Sequence, residues 1–170
     1  MMYLHRDVIS LTQLFIFLFL VLTTMACAKQ PETLHLQVIE QDIQSGETNE
    51  AMRFMVISDA QEFAEVYNQI HAAAFQKPPR PEIDFDRQRV LIAFMGQKST
   101  AGYEIHFAPT VLRQADTLTI VVEMQSLAPG AIAAQVITSP YVMAVVEKGA
   151  YTQVKFVDAD GRLLDVIDVR

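Results

Sequence analysis

The sequence has a single cysteine, Cys27, and its Lys and Arg residues are scattered along 170 residues without forming a cluster. A lone thiol excludes an intrachain disulfide framework and a cysteine-based zinc site. The scattered bases and a net charge of −7 exclude a phosphate-binding surface, so no nucleic-acid partner is expected. The Gly-x-Ser-x-Gly elbow, the phosphate loop and the dinucleotide fingerprint are all missing, and no internal repeat occurs. His35, His71 and His106 lack the spacing of metal ligands. A nucleophile would have to come from Ser99, Ser126 or Ser139, none with a marked base beside it. No catalytic residue, metal or cofactor is therefore expected, and the chain reads as non-enzymatic.

Apolar material is abundant. Hydrophobic residues make up 51% and charged residues 19%, enough for the core of one domain. Part of it is local: Leu14 to Leu22 is an unbroken apolar run that ends in Thr23-Thr24-Met25-Ala26-Cys27. A core of ~7–15 apolar residues closed by small ones is the length of a signal-peptide centre and short for a membrane span of ~20. Residues 1–26 thus read as an export signal. Arg6 and Asp7 cancel within it, so the negative charge belongs to the chain from Cys27 onward. Cys27 at this junction resembles the acceptor of a bacterial lipobox, with Ala26 at the small preceding position, although Thr24 and Met25 depart from the usual pattern. In that arrangement Cys27 is acylated, becomes the first mature residue and anchors the chain to a membrane. Ala28 in place of Asp implies sorting to the outer membrane, facing the periplasm of a bacterial envelope.

Residues 27–33 form a tether, and 34–170 a single globular domain. Leu34, Leu36 and Val38 alternate with polar residues, and after the turn-forming Ser45 to Glu50 so do Met52, Phe54 and Val56, which predicts an opening hairpin. Ser58 with Gln61, or Asp59 with Glu62, offers a capping box before a helical stripe of Phe63, Val66, Tyr67, Ile70 and Ala74, giving a helix over Ala60 to Ala74. Lys77-Pro78-Pro79-Arg80-Pro81 stops it. Arg89 to Met95 is apolar without alternation, as in a central strand buried on both faces. Tyr103 to Phe107 and Leu118 to Met124 alternate as half-exposed strands. Ala131 to Glu147 reads as a long strand broken at Ser139-Pro140, and Val154 to Val169 as a terminal hairpin turning at Asp158-Ala159-Asp160-Gly161. The fold class expected is α+β: a predominantly antiparallel sheet, curved or sandwich-like, with one main helix packed on one face.

Pro81-Glu82-Ile83-Asp84-Phe85, the run Val90 to Met95, Gly96 with Ser99-Thr100-Ala101-Gly102-Tyr103-Glu104-Ile105, and Gln135-Val136-Ile137-Thr138-Ser139-Pro140-Tyr141 resemble, in order, the C-terminal domain of the protease complex subunit PrcB family, over about 59–148. Ala101 stands where that family often has glycine. The resemblance implies an accessory envelope lipoprotein that binds and stabilises a protein partner, with a protease complex as the candidate. It makes Thr100, Gly102, Tyr103, Ser139, Pro140 and Tyr141 the candidate partner-binding residues. Two other readings are a protease inhibitor, because Thr100-Ala101-Gly102-Tyr103 is similar to part of the wedge loop of chagasin-type inhibitors, and an envelope hydrolase. Lipid attachment carries its own test: Cys27→Ser abolishes acyl labelling of the chain in a labelled-fatty-acid experiment, and undiminished label would remove the anchor.

Overall fold

The computed structural model describes residues 30–169. The expected signal peptide and Cys27 lie outside them, as does Ala28. Among the described residues ten strands and one helix occur in the order β1 (Glu32–His35), β2 (Gln37–Asp42), β3 (Arg53–Ile57), α1 (Ala60–Ile70), β4 (Gln88–Phe94), β5 (Glu104–Phe107), β6 (Thr110–Gln114), β7 (Thr117–Gln125), β8 (Tyr141–Glu147), β9 (Gln153–Asp158) and β10 (Leu163–Asp168). They form a four-stranded sheet, β2-β8-β4-β3, and a six-stranded sheet, β1-β6-β7-β9-β10, with β5 also paired to β7. All pairings are antiparallel except β7 with β9, which are parallel. A parallel pair needs a crossover, and β8 in the other sheet supplies it. The α+β, sheet-dominated class read from the sequence is the class observed.

Burial on both faces of β4 and β8 sets the layering. Leu91 and Ala93 of β4 with Val142, Ala144 and Val146 of β8 point into a core between the two sheets, where they meet Ile105, Phe107, Leu118, Ile120, Val122, Val154 and Phe156. The alternate residues, Val90, Ile92 and Phe94 with Tyr141, Met143 and Val145, point the other way, beneath Phe63, Tyr67 and Ile70 of α1. The result is three layers, helix on sheet on sheet. Phe54 stacks on Phe156 across the inter-sheet core, with centroids 4.6 Å apart.

Four sequence expectations are corrected. The opening hairpin does not form: β2 pairs with β8 and β3 with β4, because the two strands buried on both faces take the centre and push the less apolar ones to the edges. The strand around Leu34 to Val38 begins earlier, within the expected tether, and is cut at Leu36. That buried residue lies where the chain leaves the six-stranded sheet for the four-stranded one, its N–H donating to the Pro109 carbonyl at 3.0 Å. The helix starts as expected, with Asp59 accepting from the Gln61 and Glu62 N–H groups at 2.9 Å, but ends at Ile70. The Ile70 carbonyl there accepts from Gly46 N–H at 2.7 Å, and a Cβ on Gly46 would stand 2.1 Å from the Gln69 carbonyl oxygen, so only glycine allows this approach. Finally, 131–140 is not a strand. It is an irregular loop with only a one-residue bridge, Lys98 to Thr138, and β8 starts after Pro140.

The terminal hairpin is as expected. Asp158 closes its turn by accepting from the Asp160 and Arg162 N–H groups at 3.1 and 2.8 Å. Phe156→Ala, which empties the inter-sheet core, lowers the unfolding free energy by about 3–5 kcal/mol, whereas loss of the helix cap in Asp59→Ala removes about 1 kcal/mol. Equilibrium denaturation reads both, and equal effects would contradict this ranking.

Candidate functional site

Register and connectivity define two poles. At one, β1 begins, the β6–β7 turn lies at Ala115 and Asp116, β9 begins and β10 ends. At the other, β7 and β4 end and β5 and β8 begin. Two long connections meet at this second pole, 95–103 between β4 and β5 and 126–140 between β7 and β8.

The two connections clamp one another. Lys98 and Thr138 exchange backbone hydrogen bonds at 2.8 and 2.9 Å, Ala101 N–H donates to the Ala134 carbonyl at 3.1 Å, and Thr138 Oγ1 donates to the Thr100 carbonyl at 3.2 Å. Gly102 has φ +94°, and a Cβ there would lie 2.4 Å from Leu127 Cδ2, so the residue is glycine both for its backbone and for its neighbour. Beside it Tyr103 is half-buried against the inter-sheet core, with Lys98 Nζ 6.0 Å above its ring. Between the clamped ends the second loop turns apolar residues to solvent. Ile132 is 101% exposed, Ile137 60% and Val136 49%, and no residue from Ser126 to Thr138 carries a charge.

The six residues singled out in the sequence therefore separate. Thr100 and Gly102 lie on the clamped loops, and Tyr103 lies partly beneath them. Ser139, Pro140 and Tyr141 are buried. Ser139 Oγ donates to the Glu47 carbonyl at 3.0 Å and lies 2.9 Å from Ser45 Oγ, and the Pro140 carbonyl accepts from Met95 N–H at 2.8 Å. Tyr141 faces the helix, on the side of the four-stranded sheet opposite to the core that Tyr103 packs on. The Ser-Pro-Tyr element is thus an anchor for the loop, and on the exposed face of the clamped loops it presents no side chain. Ile132, Val136 and Ile137 lie in the stretch expected as a strand and are not among the candidate residues, because an uncharged apolar stretch looks like a buried strand; the signal of their exposure is the absence of a polar face together with the preceding Ala128-Pro129-Gly130 turn.

A second feature opens at the same pole on the helix side, a cleft of about 750 Å³ between β2, the end of α1 and the proline-rich loop. The β2–β8 register shifts between Val38 and Glu40, a bulge that turns both Ile39 and Glu40 toward the helix side, and Asp42 follows on that face opposite Tyr141. Tyr141 Oη donates to Glu40 Oε1. His71 Nε2, which is buried, lies 2.9 Å from the same oxygen but off the hydrogen-bonding direction and has no other partner among the described residues. Burial first, and then the negative Glu40, push the Tyr67 phenol up to about 12. Burial and the hydrogen bond to Glu40 raise Tyr141 further still.

Residues 89–147, from β4 through β8, match the family model described as PrcB C-terminal, which supports the PrcB assignment made from the sequence motifs. The match is narrower than the 59–148 expected and does not include α1. No curated protein and no solved structure gives a significant match. Among the described residues no helix is long and apolar enough to cross a membrane.

Because Tyr67 and Tyr141 keep their protons in the fold above the ordinary phenol value of 10.0, the folded chain holds more protons than the unfolded one at alkaline pH. Their contribution to stability is complete below about pH 10 and is lost as pH rises beyond it. Denaturation midpoints accordingly stay level up to that point and then fall, and Tyr67→Phe and Tyr141→Phe each make the fall shallower. A fall unchanged in both variants would contradict the assignment.

Proposed function

Taking the PrcB C-terminal segment at 89–147 as the premise, we propose that this chain is a non-enzymatic envelope lipoprotein, anchored through Cys27, whose domain binds a protein partner belonging to a protease complex. The observation that carries the reading is the charge-free loop 126–138, which exposes Ile132, Val136 and Ile137 on a domain that is otherwise acidic. Clustered apolar side chains in water, held by a rigid clamp, are the character of a protein contact. The match to a family model described as PrcB C-terminal favours a protein over the bilayer as the occupant.

The inhibitor reading draws less support, since it needs Tyr103 free at a loop tip and here the ring is packed against the core. The two readings separate in cells. A photo-crosslinking residue at Ile132 of the full chain captures a subunit of a protease complex, whereas the same residue at Asp116, at the other pole, does not. Ile132→Asp with Val136→Asp abolishes co-purification of that subunit while leaving the fold intact. Crosslinks equal at the two poles, or to lipid alone, would remove the reading.

A further inference from the structure

The cleft beside α1 is not needed for the loop contact, and its chemistry is different. Its lining holds two carboxylates, Glu40 and Asp42, and no Lys or Arg. The neighbouring proline-rich loop contributes Pro78, Pro79 and Pro81 to the wall and leaves Lys77 and Arg80 in solvent. A chain that had to neutralise this cleft from within has two cations at hand and uses neither.

One polar group inside is left incomplete, and a carboxylate stands beside it. Glu40 is mostly withdrawn from water, its side chain 20% exposed, and takes the Tyr141 hydroxyl at Oε1 with the Tyr67 phenol close by. His71 is 8% exposed, and its Nε2 sits beside that carboxylate without a properly directed bond. A partly buried carboxylate flanked by phenols and an unpaired ring nitrogen, with no Lys or Arg in the lining, lacks a countercharge that a cation from outside supplies. The remaining walls, Ile39, Ile70, the Tyr67 ring and the prolines, are apolar and fit a hydrocarbon stem.

We propose that this cleft receives a lysine side chain of a partner polypeptide, with its ammonium group on the Glu40 and Asp42 carboxylates and its aliphatic stem along the Tyr67 and proline wall. A lysine side chain matches both demands, a point charge that needs acceptors and four methylenes that gain from leaving water. Attraction between the ammonium and a withdrawn carboxylate is stronger than at an open surface and still weakens with salt.

The test uses the full chain in detergent micelles with its tyrosines replaced biosynthetically by 3-fluorotyrosine, read by ¹⁹F NMR while Nα-acetyl-lysine methylamide is added. The resonances of Tyr67 and Tyr141 move saturably and those of Tyr103 and Tyr151 do not. The uncharged isostere Nα-acetyl-norleucine methylamide produces no such shift. Glu40→Gln keeps an acceptor for Tyr141 and removes the charge, and it weakens the lysine titration by about tenfold. Asp42→Asn, at an exposed position, weakens it in the same direction and serves if Glu40→Gln fails to fold. The proposal is overturned if norleucine acts as lysine does, if neither substitution changes the titration, or if the diamine cadaverine binds while the lysine derivative does not, which would assign the cleft to a free amine. The titration does not involve the 126–138 loop, so it and the crosslinking experiment fail independently.

Discussion

The pairing of β4 with β8 is the constraint on which the rest depends. Their registered residues from Gln88 opposite Glu147 to Phe94 opposite Tyr141 are apolar on both faces almost throughout, so neither side can be left to water. A strand pair of this kind requires a cover on each side. One cover is a second sheet, whose Phe156, Ile120 and Val154 meet Leu91 and Ala144. The other is a single helix three turns long, which supplies Phe63, Tyr67 and Ile70. Everything else in the fold connects these covers to the central pair.

The connections carry the irregularities, and each has a local cause. The first strand leaves one sheet for the other at Leu36, closing the side of the sandwich between β6 and β8. The β2 bulge then lets Ile39 join the helix-side core while Glu40 reaches the Tyr141 hydroxyl, an arrangement that strict alternation would have prevented. Pro140 has no N–H to give to a ladder and stands just outside β8, its carbonyl fastened to Met95. The strand therefore cannot extend backward into 131–139, whatever the apolar content of that stretch.

That difference marks how far the sequence could be read. Periodicity found β5 and β7, the non-alternating run found β4, and Asp59 with the 63, 67, 70 stripe found the start and face of α1, because in each case local pattern and tertiary burial agree. The partners of edge strands were not legible, since pairing is decided by which strands are most apolar over the whole domain. The end of the helix was hidden for a related reason, as its last carbonyl is satisfied by Gly46, far away in sequence. In the candidate site Gly102 was recognisable from its loop, but its cause, the Leu127 side chain above it, was not. Tyr141 was singled out as a presented residue and is instead one of the largest fully buried side chains. Tyr67 and His71 stand four apart at the helix end, but no spacing links them to Glu40 or Tyr141, because a bulge, a helix end and a strand start bring the four together.

The loop and the clamp beneath it divide two tasks that are often in conflict. Thr138, Ser139 and Pro140, all buried, fix one end, and the half-buried Leu127 over Gly102 fixes the other. Ile132, fully exposed between them, contributes nothing to the core, and its apolarity is not accounted for by folding. A single exposed hydrophobe is ordinary, but Ile132, Val136 and Ile137 occur together in a stretch without one charge, on a chain of net charge −7. Folding does not require that composition and solubility disfavours it, and the proposed protein contact accounts for it. The buried anchors Thr138, Ser139 and Pro140 separate the surface between them from β4 and β8, so substitutions at Ile132 or Val136 leave the core packing untouched.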